Sequence, residues 1–238
     1  MGKIECSDPF PTLDGLRCWC GKYEELPERD ATYRLMSETI ARSWWSPQEV
    51  TDAVGVFLLV WNAAFYRGDS PDLRQVQGIL ERRKESLTDF RGRDLVTLRE
   101  ADTQKVQELF GDLLKATAKI GAVGSEEKRK KTPVGVGKAL HVLAPNFFPA
   151  WDYRIARAYG CLWQTSAEGA DAYVRFMQEV KRGLERLQTQ SQRPLSEIKE
   201  ELSRKARFPK TMLKFVDEFN YMKYTWTSRQ RKSSGATA

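Results

Sequence analysis

Apolar residues recur at helical spacing along most of the chain. Tyr33, Met36 and Ile40 predict one helix, and Val50, Val54, Phe57, Leu58, Trp61 and Phe65 predict a second. The second opens at Ser46-Pro47-Gln48-Glu49, which reads as a capping box: a Ser cap, Pro at the first helical position, and Glu three residues after the cap. Arg67-Gly68-Asp69-Ser70-Pro71 is a breaker cluster that ends it. Leu73, Val76, Ile79 and Leu80 then predict a short helix. Val106, Leu109, Phe110, Leu113 and Leu114 predict a longer one, with Ile120 near its end and Gly121 beyond. The clearest stripe is Tyr173, Phe176, Met177, Val180, Leu184 and Leu187, opened by Asp171, and two more helices are predicted over 194–204 and 212–224. No alternating run is flanked by a hairpin dipeptide, so the predicted class is all-α. The N-terminal ~20 residues, the polar segment Gly124 to Thr132 and the Ser/Gly/Ala tail after Lys232 are the predicted mobile pieces. This divides the chain into an N-terminal extension (1–30), a main fold (31–228) and a basic, polar tail (229–238).

Composition supports a packed core. Of 238 residues, 41% are hydrophobic and 11% aromatic, which excludes wholesale disorder. No apolar run reaches the ~18 residues that cross a bilayer, so no membrane association is expected. The start, Met1-Gly2-Lys3-Ile4-Glu5-Cys6, lacks the apolar stretch of a secretory signal, and with four cysteines this predicts a reducing, cytoplasmic setting with free thiols. The formal net charge of +7 favours an anionic partner. Most of it lies in residues 199–238, where ten Lys or Arg face four Asp or Glu. Cys18-Trp19-Cys20, with Cys6 upstream, has no second pair and no neighbouring His to complete a four-ligand zinc site, so no metal or cofactor is assigned.

The segment 133–160 carries the candidate chemistry. Pro133-Val134-Gly135-Val136-Gly137-Lys138 reads as a glycine-containing turn that opens a helix over Lys138 to Leu143. Glycines there would allow a tight turn with outward amides, a seat for phosphate at a helix N-terminus. The chain breaks at Pro145 and Pro149 and restarts at Trp151-Asp152-Tyr153-Arg154-Ile155-Ala156-Arg157, placing Asp152 at the start of the next helix. Asp is also a favoured N-cap, and a cap that fixes a carboxylate is compatible with a reactive role.

This segment resembles the helix-hairpin-helix DNA glycosylase superfamily, which includes endonuclease III and the 8-oxoguanine glycosylases. The resemblance rests on the Gly135-Val136-Gly137 hairpin, the adjacent Lys138, and Asp152 opening a helix with Ile155 at +3 and Arg157 at +5. The upstream apolar helix ending in Trp61-Asn62 suits the other lobe of that fold. The hairpin-to-Asp spacing is shorter than usual in the family, and no four-cysteine iron–sulfur cluster is present, so the resemblance is to a divergent branch.

The resemblance implies a two-lobed helical bundle. It also implies a DNA glycosylase that extrudes a base from double-stranded DNA and cleaves its N-glycosidic bond, leaving an abasic site. Asp152 would stabilise the cationic sugar and orient or deprotonate water. Lys138 would be either an amine nucleophile or a phosphate contact. Gly135 and Gly137, with the basic residues Lys128, Arg129, Lys130, Lys131, Arg154 and Arg157, would hold phosphates. Trp61, Asn62, His141 and Trp151 are the candidate base pocket, with core packing the competing role for Trp61 and a buried helix position the competing role for His141. The base removed is not legible. It would be a damaged base, in ordinary repair, or a modified cytosine (hydroxymethylated or glucosylated) in phage DNA, in bacterial defence. A non-catalytic DNA-binding role for the same hairpin is the alternative.

Overall fold

The computed structural model describes residues 8–26, 30–119 and 130–227. These residues are helical, with no strand among them beyond an isolated bridge between Pro71 and Lys119. The helices are α1 (Leu13–Glu24), α2 (Ala31–Arg42), α3 (Pro47–Trp61), α4 (Ala63–Tyr66), α5 (Leu73–Arg82), α6 (Lys84–Arg91), α7 (Asp102–Ala116), α8 (Pro133–Leu143), α9 (Tyr153–Ala158), α10 (Gly169–Ser191), α11 (Leu195–Ser203) and α12 (Met212–Asn220). A π-helical stretch, Tyr221–Trp226, continues α12. None of the described helices is long and apolar enough to cross a membrane.

The all-α expectation holds, and the apolar stripes face one core. Val50, Val54, Phe57 and Leu58 of α3 are buried against α2, α5 and α8. The stripe of α10 packs on α7 and α8. Local chemistry differs in places. Ser46 does sit at the cap position of α3 with Pro47 behind it, but its side chain makes no capping bond, and Glu49 instead accepts from the Ser43 hydroxyl. The predicted run to Phe65 is broken at Asn62, whose backbone (φ −126°, ψ 31°) leaves the helix before α4 resumes it. Helix α6 was not expected: only Leu87 and Phe90 mark its buried face, too short a stripe to stand out.

The N-terminal segment corrects the sequence reading more deeply. Residues 13–24 are not an extension. They form α1, whose Leu16 and Cys20 lie in the same buried cluster as Phe57, Leu140 and Phe219, and which packs on α12 and α11. The side chain of Thr12 caps it, accepting from the Gly15 amide. The spacing Leu13, Leu16, Cys20, Tyr23 is helical, a signal obscured when the cysteines are considered as ligands. Ile120, Gly121, the segment 124–129, Cys6 and the tail 229–238 lie outside the described residues.

Candidate active site

Helix α9 starts because Asp152 caps it. With an extended backbone (φ −135°, ψ 178°), its Oδ1 accepts from the amides of Arg154 at 2.8 Å and Ile155 at 2.9 Å. Its other oxygen, Oδ2, accepts from the Thr225 hydroxyl at 2.7 Å. The carboxylate is thus held by three donors in one orientation. The Thr225 carbonyl in turn accepts from Arg154 Nη1 at 2.9 Å, so one residue of the π-helical stretch braces both Asp152 and Arg154. Tyr221 and Thr225 of that stretch both face a cavity of about 310 Å³. Local π-helical geometry of this kind is frequent at functional sites.

Asp152 lines that cavity with Lys138, Trp61, Val60, Trp151, Tyr23 and Asp217. Helices from distant parts of the chain meet here: α3 brings Trp61, α8 brings Lys138, and α1 and α12 bring Tyr23 and Asp217. Lys138 Nζ donates to the Trp61 carbonyl, the end of α3. Trp151 is buried, and its Nε1 donates to the Pro133 carbonyl at 3.1 Å. Both candidate catalytic residues and two of the four candidate pocket residues therefore share one cavity.

The other two do not line it. Asn62 Nδ2 donates to Thr132 Oγ1 at 3.1 Å, which answers its need for a partner at the end of α3. His141 is wholly buried. Its Nδ1 donates to the Phe148 carbonyl at 2.8 Å, and the ring stacks on Tyr33 with centroids 5.5 Å apart. Burial lowers its pKa from the usual value, and nearby Asp217 opposes that shift only in part. Lys138 and His141 are three residues apart on one helix, yet the first reaches a cavity and the second a core.

The glycine turn also needs correction. Helix α8 begins at Pro133, not Lys138, with Thr132 as its cap. The Gly135 amide, expected to face outward, donates to Thr132 Oγ1 at 2.9 Å. Both glycines are buried inside the helix. A Cβ on Gly137 would lie 2.4 Å from Trp151 Cδ1, and one on Gly135 would lie 2.7 Å from Thr132 Cγ2. The glycines admit neighbouring side chains instead of seating an anion.

The basic candidates divide. Lys130, Lys131 and Arg157 are exposed, Arg154 is half-buried against Thr225, and Lys128 and Arg129 lie outside the described residues. The C-terminal charge excess is partly internal. Lys214 is wholly buried, 3.1 Å from Asp217, 3.2 Å from Asp30 and 3.4 Å from Glu218. Lys210 meets Glu218 at 2.6 Å and pairs with Glu24. Burial works against the charge on Lys214, but Tyr23 and these carboxylates outweigh it and raise its pKa well above the usual value. Burial pushes Glu218 above the ordinary carboxylate range, with Lys214 and Lys210 pulling it back. These residues cannot be part of an external phosphate track.

Thr225, Tyr221, Tyr23 and Asp217 are the polar cavity residues that the sequence reading missed. Thr225 and Tyr221 sit in or beside an apolar run that reads as core, and Tyr23 belongs to the segment taken as an extension. Lys214 and the acidic pair Asp217-Glu218, charged residues inside the largely apolar run of α12, are the signal that pointed to something other than packing. Comparison with protein-family models, curated proteins and solved structures finds no match.

Proposed function

We propose that this protein is a DNA glycosylase of the helix-hairpin-helix type, built as the two-lobed helical bundle of that superfamily, acting on a damaged or modified base in double-stranded DNA. The observation that carries the reading is Asp152: a carboxylate fixed by two helix-start amides and the Thr225 hydroxyl on the wall of an aromatic-lined cavity.

Loss of a base leaves positive charge on the deoxyribose ring, and a preorganised carboxylate beside it lowers the barrier without reorganising during the reaction. The base leaves with the bonding electrons of the N-glycosidic bond and takes up a proton from solvent, and water then adds at C1′, its proton passing to Asp152 or to solvent. Trp61 and Tyr221 offer ring surface to an extruded base, with the buried Trp151 forming the floor behind them. Lys138, on the same wall, is positioned to hold the sugar–phosphate side or to attack C1′ as an amine. Exposed Lys130, Lys131 and Arg157 supply positive charge for phosphates.

The test is incubation with duplexes carrying damaged bases, uracil, or hydroxymethylated and glucosylated cytosine. Freed base is read by mass spectrometry and abasic sites by alkali cleavage. Asp152→Asn is expected to keep duplex binding and lose base release by ~10²-fold or more. Thr225→Val, which removes one donor from Asp152, is expected to lower release by about tenfold. Borohydride trapping on the positive substrate separates an attacking Lys138 from a binding one. Release from no duplex, with binding retained, would replace the enzyme with a DNA-binding protein.

A further inference from the structure

The cavity holds a second carboxylate. Asp217, 8% exposed, comes from α12 and is drawn from a buried charge cluster that the excision chemistry does not use. That cluster sets four acids, Glu24, Asp30, Asp217 and Glu218, around two ammonium groups, Lys210 and Lys214. Of the six, Asp217 alone lines the cavity.

The acids outnumber the cations, and Asp217 is the member of the cluster that meets this cavity. One oxygen of Asp217, Oδ2, is tied to Lys214 at 3.1 Å, which fixes the side chain. Neighbouring Tyr23 cannot supply a competing donor there, because its hydroxyl donates to Asp30 Oδ1 at 2.6 Å. What the cavity offers at this point is an acceptor. An exocyclic amino group placed against Asp217 would form a charge-assisted hydrogen bond, whereas a carbonyl oxygen in the same place would face a carboxylate oxygen.

Resting on the glycosylase reading, we propose that Asp217 is a specificity-determining residue: it reads the edge of the extruded base and selects bases bearing an exocyclic amino group over their carbonyl counterparts. Asp152 sets where the bond breaks, and Asp217 sets which base is admitted. The selection is the same for an ordinary or a ring-modified base, because the modification and the amino group occupy different positions on the ring.

The test uses duplexes matched except for one group: cytosine against uracil, 5-hydroxymethylcytosine against 5-hydroxymethyluracil, and adenine against hypoxanthine. Single-turnover release is measured for wild type, Asp217→Asn and Asp217→Glu. Wild type is expected to release at least one amino-bearing base about tenfold or more faster than its carbonyl partner, roughly 1.4 kcal/mol of discrimination. Asp217→Asn, which can present a donor as well as an acceptor, should bring that ratio within about threefold, and Asp217→Glu should keep the preference. Thermal melting of each variant separates lost selection from lost fold. A wild-type preference for carbonyl bases, or a ratio unchanged in Asp217→Asn, overturns the proposal.

If no duplex loses a base, the excision reading falls and selection is read from binding instead. Free deoxycytidine and deoxyuridine are titrated against tryptophan fluorescence of the intact protein. Tighter deoxycytidine binding that is lost in Asp217→Asn upholds the edge reading, and equal or absent binding overturns it.

Discussion

Gly137→Ala tests whether the glycines of α8 serve packing or an anion. The added Cβ would lie 2.4 Å from Trp151 Cδ1, 2.5 Å from Trp151 Nε1 and 3.2 Å from Tyr173 Cε2. Neither ring is a flexible end that can swing aside: Trp151 is 1% exposed and hydrogen-bonded to the Pro133 carbonyl, and Tyr173 is wholly buried with its hydroxyl donating to the Pro149 carbonyl. Overpacking of this kind costs about 1–3 kcal/mol, and weakening the Trp151 bond adds about 1 kcal/mol. Alanine's better helix propensity returns about 1 kcal/mol. The net is a loss of about 2 kcal/mol, or roughly 4–8 °C in Tm for a chain of this size.

Gly111→Ala in α7 is the control. A Cβ there meets nothing within 4 Å, so only the propensity gain remains and stability should rise by about 1 kcal/mol. Both variants are measured by urea and thermal denaturation followed by circular dichroism. If Gly137→Ala melts at or above wild type, the packing account is wrong. If it keeps wild-type stability while losing DNA affinity at low salt, the glycine is seating phosphate after all.

Two further outcomes follow from buried titratable groups. Asp102 is 2% exposed, bonded to Arg93 at 2.6 Å and to the Arg99 amide at 2.9 Å, and Arg93 above all holds its carboxyl well below the usual range. Its contribution is therefore present above the ordinary carboxylate value and lost as pH falls toward the folded value. Asp102→Asn should cost about 2 kcal/mol near neutral pH, and the gap to wild type should shrink as the solution is acidified below about pH 4; a constant gap would refute the assignment. His141 is the only histidine, and burial depresses its pKa. Its imidazole NMR signals should stay those of the neutral ring as pH is lowered through about 6.5. Its contribution is held above that value and lost as pH falls through the lower folded one, so a titration midpoint at or above about 6.5 would contradict its burial.

Much of the helical framework was legible because α-helices are specified locally. A stripe such as Tyr173 to Leu187 buries one face whatever it packs against, and it appears as α10. Asp152 was legible for the same reason: a cap acts on amides two and three residues away. Misreadings arose where local patterns had a second meaning. Cysteines in α1 concealed a helical spacing, and glycines in α8 have the composition of a turn but the φ/ψ of a helix. Spacing could not separate Lys138 from His141, because a helix face does not say whether it borders a cavity or a core.

The amino-acid sequence by itself determined an all-α chain, the approximate place of its main helices, and an aspartate opening the helix after Pro149. Tertiary structure alone decided what surrounds that aspartate. Thr225 reaches Asp152 across 73 positions, Lys138 reaches the Trp61 carbonyl across 77, and Lys214 lies beside Tyr23 across 191. It also decided that two of the C-terminal lysines, Lys210 and Lys214, are neutralised internally by Glu24, Asp30, Asp217 and Glu218. The physical reason is range. Helix propensity and capping act over a few residues, whereas cavities and buried ion clusters form only where separate helices converge, and their partners leave no periodic trace in the chain.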